Sequence, residues 1–447
     1  KARESWKGSG QEAISEVYHR LSIEGIATMF TGHEGVTEGA SEVVTAIVKN
    51  GQPVEEIGEG DQAEIIVAKT PFYGETGGQV GDTGLISGKN FYFEVTATQR
   101  PLENLITHIG VLKSGKLRKG DSVDILKVDD DTRRATEANH SGTHLLQAAL
   151  KLVLGEHVKQ SGSLVNADHL RFDFTHFSKI EEEELARIEA LANRMIRANV
   201  PVETAVMPLA EAVKTGATAV FDEKYGETVR VVGMAGCSSE LCGGTHVART
   251  GDIGLIKIVH ESSIAAGVRR IEAVTGHTAV AHVQRAEDEL RKTAGLLRIG
   301  PLETADRTEK LLRRERELEK EIEVLKGKLA AKDSGDLMGR VRQINGVAVL
   351  ATVVEASDVK ALRDLGDKLR DRLRSGIILL GSRADGKAML LCLVTKDLND
   401  RYHAGKIIQA IAPIVGGSGG GRPDMAQAGG PKPELLEQAL EKLPDLL

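Results

Sequence analysis

The chain has 447 residues, more than one hydrophobic core accommodates, so two to four domains are expected. Hydrophobic residues at 41% and charged residues at 28% suit a water-soluble globular protein, and no apolar run is long enough to span a bilayer. A net charge of −7 argues against attraction of nucleic acid by the whole surface, aromatic residues at 3% argue against base-stacking platforms, and three cysteines cannot build a disulfide framework, which points to a reducing, cytoplasmic compartment. Local basic patches stay compatible with this balance, so RNA recognition would rest on shape and backbone, with no membrane and no DNA required.

Residues 1–23 read as the end of a helical region that begins upstream. The opening Lys-Ala-Arg-Glu-Ser-Trp has neither an initiator Met nor the apolar stretch of a secretory signal, as expected of a piece of a longer protein. From 24 to 128 the pattern is strand-like. Ala63-Glu-Ile-Ile-Val-Ala-Lys69 and Asn90-Phe-Tyr-Phe-Glu-Val95 run apolar or alternate between Gly-rich turns, which suggests a small β-barrel. Between them lies Thr70-Pro-Phe-Tyr-Gly-Glu-Thr-Gly-Gly-Gln-Val-Gly-Asp82. It is not a P-loop, since no Gly-Lys-Ser/Thr follows, and its glycines suit a tight turn.

Residues 129–280 read as an α+β domain. A helix is expected from Asp130 to Leu154, closed by Gly155, followed by strands at 162–165 and 170–174. A second helix, Lys179 to Asn199, opens with Glu181 to Glu184, a placement the helix dipole favours. The first helix carries His140-Ser-Gly-Thr-His144, an i, i+4 pair that puts both imidazoles on one face. About a hundred residues on, Cys242-Gly-Gly-Thr-His246 offers a thiol and a third imidazole. Either pair alone fits a blander account: incidental histidines on a capped helix, or glycines marking a turn. Together they form a donor set suited to one zinc ion, hence to a Lewis acid and hydrolysis. A metallopeptidase helix needs Glu after its first His, and here that position is Ser141. Cys237 is a weaker rival to Cys242, having no His at ligand spacing, and Cys392 sits in an apolar run as a small core residue.

Residues 281–332 are charged and helical, with Leu311, Leu318 and Leu325 seven apart and Ile322 and Leu329 filling the alternate seam positions. The pattern suits a short coiled coil or helical hairpin, a solvated helix, or an oligomerisation arm. Residues 333–447 read as a C-terminal α/β domain. Strands are expected at 347–354 and 376–381, and the helix Asp358 to Arg374 between them carries Lys368, Arg370 and Arg374. Helices at 402–414 and 433–443 flank a loop, Gly416-Gly-Ser-Gly-Gly-Gly-Arg422-Pro-Asp-Met-Ala-Gln-Ala-Gly-Gly430. Its glycines would let backbone N–H groups approach a phosphate, with Arg422 adding charge, although a flexible linker would look the same.

In this order the motifs Thr-Pro-Phe-Tyr-Gly-Glu-Thr-Gly-Gly-Gln, His-Ser-Gly-Thr-His, Gln160-Ser-Gly-Ser-Leu-Val, Arg171-Phe-Asp-Phe, Cys-Gly-Gly-Thr-His and Gly-Gly-Gly-Arg-Pro-Asp-Met-Ala-Gln-Ala-Gly-Gly closely resemble the C-terminal half of bacterial-type alanyl-tRNA synthetases. The resemblance implies a multidomain α+β architecture of β-barrel, zinc-containing editing domain, helical connector and C-terminal tRNA-binding domain. It implies hydrolysis of tRNA(Ala) mischarged with serine or glycine. Zinc would sit on His140, His144, Cys242 and His246. Gln160, Thr143 and Thr245 would serve the reaction, and Arg422, Lys368, Arg370 and Arg374 would contact tRNA. Alanine activation with ATP and magnesium would belong to an aminoacylation domain upstream, and a homodimer through the C-terminal region is the further partner. The alternative is a non-catalytic tRNA-binding module with a structural zinc. A phosphoesterase is disfavoured, since no Asp-His-His motif is present.

Overall fold

The computed structural model describes residues 15–33, 35–218 and 226–447, and within 326–336 only the path of a helix. Residues 1–14, most of the expected upstream helical end, lie outside that range; Glu16–Ile23 is a helix. The chain divides into two compact units, Lys1–Lys292 and Thr293–Leu447.

The first unit opens with a curled sheet. Its hydrogen-bonded order is Ser122–Val123, Glu42–Lys49, Gln62–Val67, Leu105–Arg118, Phe91–Leu102, Gly84–Gly88, Ile125–Val128, Glu38–Gly39. Alternate residues point inward, so Ile47, Ile65, Phe93, Leu112 and Leu126 are buried together. The expected β-barrel is not formed, because the hydrogen-bonded path does not return on itself. Near Asp124 the chain leaves Glu42–Lys49 for Gly84–Gly88, so one segment serves two edges as two short strands. The resulting fold is mixed α+β with open sheets.

A second sheet runs Gln160–Val165, Leu170–Thr175, Val268–Thr275, Ile256–Ala265, all antiparallel. Helices Asp130–Leu154 and Glu182–Arg197 cover it, burying Leu145, Leu146, Leu150 and Ile188 among Phe172, Phe174 and Ile271. The unit also holds a small three-stranded sheet, Val202–Pro208, Thr228–Met234, Ser238–Leu241, and a parallel two-stranded one, Met29–Phe30 with Lys69–Thr70. Cys237 packs against the helix-covered core, where burial raises its thiol pKa.

In the second unit, six strands run Arg342–Ile344, Val347–Val354, Ile377–Ala384, Lys387–Val394, Met425–Gly430, Ser418–Gly421. Val347–Val354 and Ile377–Ala384 are parallel, joined by the crossover helix Val359–Leu373. Both sheet faces are covered, so the central strands Val347–Val354, Ile377–Ala384 and Lys387–Val394 are mostly apolar. Ile377, Leu379 and Cys392 face helix Ala404–Ile411, while Ile378, Leu380 and Leu391 face the crossover helix. The expected Gly-rich loop 416–430 is largely a β-hairpin. Several of its glycines are required by backbone contact: a Cβ on Gly417 would lie 1.8 Å from the Gly429 carbonyl oxygen, and one on Gly421 2.3 Å from that of Met425.

The charged stretch is two helices, Gly276–Leu297 and Thr304–Met338, separated at Gly300-Pro301. Leu311, Leu318, Ile322 and Leu325 are 41–51% exposed, and the Leu329 side chain lies outside the described residues. No described helix is long and apolar enough to cross a membrane.

Candidate metal centre

The helix carrying the paired histidines starts at Asp129, whose side chain accepts from the Thr132 N–H at 2.9 Å, and Asp130 and Asp131 occupy its first turn. Antiparallel strands Thr228–Met234 and Ser238–Leu241 deliver the second ligand pair just past their edge. There the Cys242 N–H donates to the Arg230 carbonyl at 3.0 Å. The Arg230 guanidinium donates back to the carbonyls of Cys242 at 3.0 Å and Gly244 at 2.9 Å, clamping the turn.

One donor atom from each of His140, His144, Cys242 and His246 lies within 4.8 Å of the others. Cys242 Sγ is 3.4 Å from His140 Nε2 and 3.3 Å from His246 Nε2. Each imidazole uses its other nitrogen elsewhere. His140 Nδ1 meets Gln79 Oε1 at 2.7 Å, His144 Nδ1 meets Glu240 Oε2 at 2.8 Å, and His246 Nδ1 meets Ser141 Oγ at 3.2 Å. His144 Nε2 is buried without a hydrogen-bond partner among the described residues. Three converging Nε2 atoms, one sulfur and outer partners on every Nδ1 are what a zinc ion requires of its protein, so the residues fit that group.

The electrostatics favour a thiolate and a neutral imidazole at two of the four donors, whereas a metal ion would have to displace a proton from His144. Burial opposes ionisation of Cys242, yet the facing His140 and His246 hold its thiol well below the ordinary value. Burial drops His246 to about 3, leaving a neutral lone pair. Burial also opposes a charge on His144, but Glu240 raises that group to about 10.

A cavity of about 250 Å³ has His140, His144 and Cys242 in its wall, with Gln160, Thr143 and Tyr73 around them. The Gln160 amide donates to Ser163 Oγ at 3.1 Å, and the Thr143 hydroxyl donates to the Asn139 carbonyl at 2.9 Å, leaving oxygens to accept. Thr245 instead lines a larger cavity of about 880 Å³, with His246, Arg134 and Glu137. Sequence reasoning missed Gln79, Glu240 and Ser141, which fix the three imidazoles. The available signal was Gly77-Gly78 beside Gln79: a Cβ on Gly78 would lie 2.4 Å from Ser163 Oγ.

In the second unit, Arg422 is exposed at the hairpin turn and lies 3.3 Å from Asp424. Lys368 and Arg374 are exposed, whereas Arg370 pairs with Asp367 at 2.7 Å. Leu393 pairs with both Ile378 and Met425, so Arg374 and Arg422 stand at the same end of the sheet.

Three family descriptions match the chain. These are class II (A) tRNA synthetases over residues 1–132, the threonyl and alanyl tRNA synthetase second additional domain over 229–272, and the DHHA1 domain over 345–447. The second includes Cys242 and His246. Among curated proteins, an Alanine--tRNA ligase of Anaeromyxobacter dehalogenans is 50% identical over 446 residues, covering 100% of this chain and 49% of that protein. One of Desulfosudis oleivorans is 49% identical over 433 residues, covering 97% and 49%. The chain thus spans about half the length of the curated relatives it matches. The crystal structure of the C-Ala domain from Aquifex aeolicus alanyl-tRNA synthetase has 29% identity and a TM-score of 0.23, covering 24% of this chain and 96% of that one.

Proposed function

We propose that this chain, a member of the alanyl-tRNA synthetase family, is the editing and tRNA-binding portion of an alanine–tRNA ligase, hydrolysing seryl and glycyl esters of tRNA(Ala). The observation that carries the reading is the convergence of His140, His144, Cys242 and His246, three of which, His140, His144 and Cys242, line a cavity of about 250 Å³ with Gln160 and Thr143.

The physical need is plain. Glycine lacks one methyl of alanine and serine adds one hydroxyl, and pockets separate such pairs by only about 1–3 kcal/mol. A second site that cleaves the wrong ester adds a second selection. The acylated 3′ end enters the cavity, where the Gln160 amide and the Thr143 oxygen hold the aminoacyl group. Water then adds to the ester carbonyl and the terminal ribose hydroxyl leaves. Zinc on the four ligands would supply a Lewis acid beside that carbonyl. Thr245, seated by Gln79 at 2.9 Å, keeps the Cys-Gly-Gly-Thr-His turn closed over the site.

Arg422, Arg374, Lys368 and Arg370 contact the tRNA backbone, and a homodimer through the C-terminal region is the further partner, in the cytoplasm. Alanine activation with ATP and magnesium belongs to the part of the ligase outside this chain. Four protein donors make a closed tetrahedral set, and this favours a second reading: a structural zinc in a tRNA-binding module. Single-turnover incubation of seryl-tRNA(Ala) with the chain separates the two. Release of free serine above the buffer rate supports editing, while tight binding of intact ester supports the module.

A further inference from the structure

Gln79 lies in the segment Thr70–Asp82 that the sequence reads only as a turn, and it is 0% exposed. Its side chain reaches two places far apart in the chain. His140 Nδ1 is 2.7 Å from its Oε1, and the Thr245 backbone N–H donates to the same oxygen at 3.0 Å. Its Nε2 donates to Thr245 Oγ1 at 2.9 Å.

This pattern settles the orientation of the amide. Reversed, it would aim an NH₂ group at the Thr245 N–H, donor against donor. With Oε1 so placed, His140 Nδ1 carries the proton and donates, and Nε2 keeps its lone pair toward Cys242 Sγ, 3.4 Å away.

The backbone beneath the side chain is held on both sides. The Val80 N–H donates to the Val165 carbonyl at 3.0 Å, and the Val165 N–H to that of Gly78 at 2.7 Å. Three residues beyond Gln79, the Asp82 carboxylate receives Arg133 Nε at 2.9 Å from the histidine helix. The amide is thus a fixed strut rather than a side chain that follows His140.

We propose that Gln79 is a positioning residue for the metal centre: it sets the His140 tautomer and seats the Thr245 turn, so that the Thr70–Asp82 segment controls how tightly zinc is held. This rests on the metal reading above. An outer partner of a ligating imidazole contributes about 10–100-fold in metal affinity.

The test uses the full chain, its Gln79→Leu variant and its Gln79→Glu variant. Readouts are zinc affinity by chelator competition, the visible spectrum of the cobalt(II) form, and the melting temperature of the metal-free protein. Glutamate keeps the acceptor toward His140; leucine keeps only bulk. The expected result is a 10–100-fold loss of zinc affinity and an altered cobalt spectrum in Gln79→Leu, with Gln79→Glu within about threefold of the unaltered chain. Gln79→Leu within twofold of the unaltered chain overturns the role of Gln79, as does an equal loss in both variants. If Gln79→Leu does not fold, Gln79→Glu decides alone: retained affinity upholds the proposal and a tenfold loss overturns it. An unaltered chain that binds no zinc overturns the metal reading and the inference with it.

Discussion

Gly244 packs directly against the imidazole of His140: a Cβ on its Cα would lie 2.2 Å from His140 Cε1 and 2.7 Å from Gln79 Oε1. The neighbouring Gly243 has nothing within 4 Å of the same position. Two adjacent glycines of one turn therefore carry opposite constraints. Gly244→Ala should displace His140 and lower zinc content well below one ion per chain. Gly243→Ala should retain the metal. Metal analysis of the two purified variants checks this, and equal zinc content in both would contradict it.

Arg133 and Asp82 join the histidine helix to the Thr70–Asp82 segment with side-chain exposures of 0% and 4%. Arg133 also donates to the carbonyls of Gly32 at 3.0 Å and Pro71 at 2.7 Å. Asp82→Ala strands a buried guanidinium and should destabilise the first unit by about 3–5 kcal/mol. Lys442→Ala breaks an exposed pair with Asp445 and should cost less than about 1 kcal/mol. Denaturant titration of the two variants measures both.

Burial lifts the Glu137 carboxyl from 4.5 to about 7, with the Arg133 charge opposing the rise. A raised carboxyl pKa means that folding favours the protonated form. Its contribution is complete below pH 4.5 and is lost as pH climbs through about 7. Glu137→Gln removes this titration. The variant should match the unaltered chain near pH 4.5 and exceed it by on the order of 3 kcal/mol at pH 8. Unfolding free energies of the zinc-loaded proteins across that range test the sign, and a constant difference would refute it.

Arg422 stands exposed at the hairpin turn, its side chain 73% accessible. Arg422→Glu should weaken tRNA binding and reduce the slope of log affinity against log salt by about one. The measurement is a salt series of binding isotherms; an unchanged slope would leave Arg422 with no phosphate contact.

Much of the site was legible because its signals are local. The histidine helix runs Asp130–Leu154 as its Asp129 cap and Gly155 terminator dictate, and the i, i+4 spacing alone puts His140 beside His144. What stayed hidden depends on contacts across the chain. Gln79 meets His140 over a separation of 61 residues and Thr245 over 166, and no periodicity encodes such a meeting. The Gly-rich 416–430 segment misled for a different reason. Its glycines give room for neighbouring backbones within a hairpin, and composition cannot distinguish that need from flexibility. The barrel expectation followed the short apolar strands between Gly-rich turns but not the closure, which depends on where one segment near Asp124 changes partner.

On the proposed function, ester hydrolysis depends on a cation held between the two distant motifs. The direct measurement pairs zinc content with deacylation of seryl-tRNA(Ala) for the unaltered chain and for Cys242→Ala. The expected result is about one zinc and rapid release of serine from the first, and loss of both from the second. A Cys242→Ala protein that keeps its zinc and its hydrolysis would contradict it.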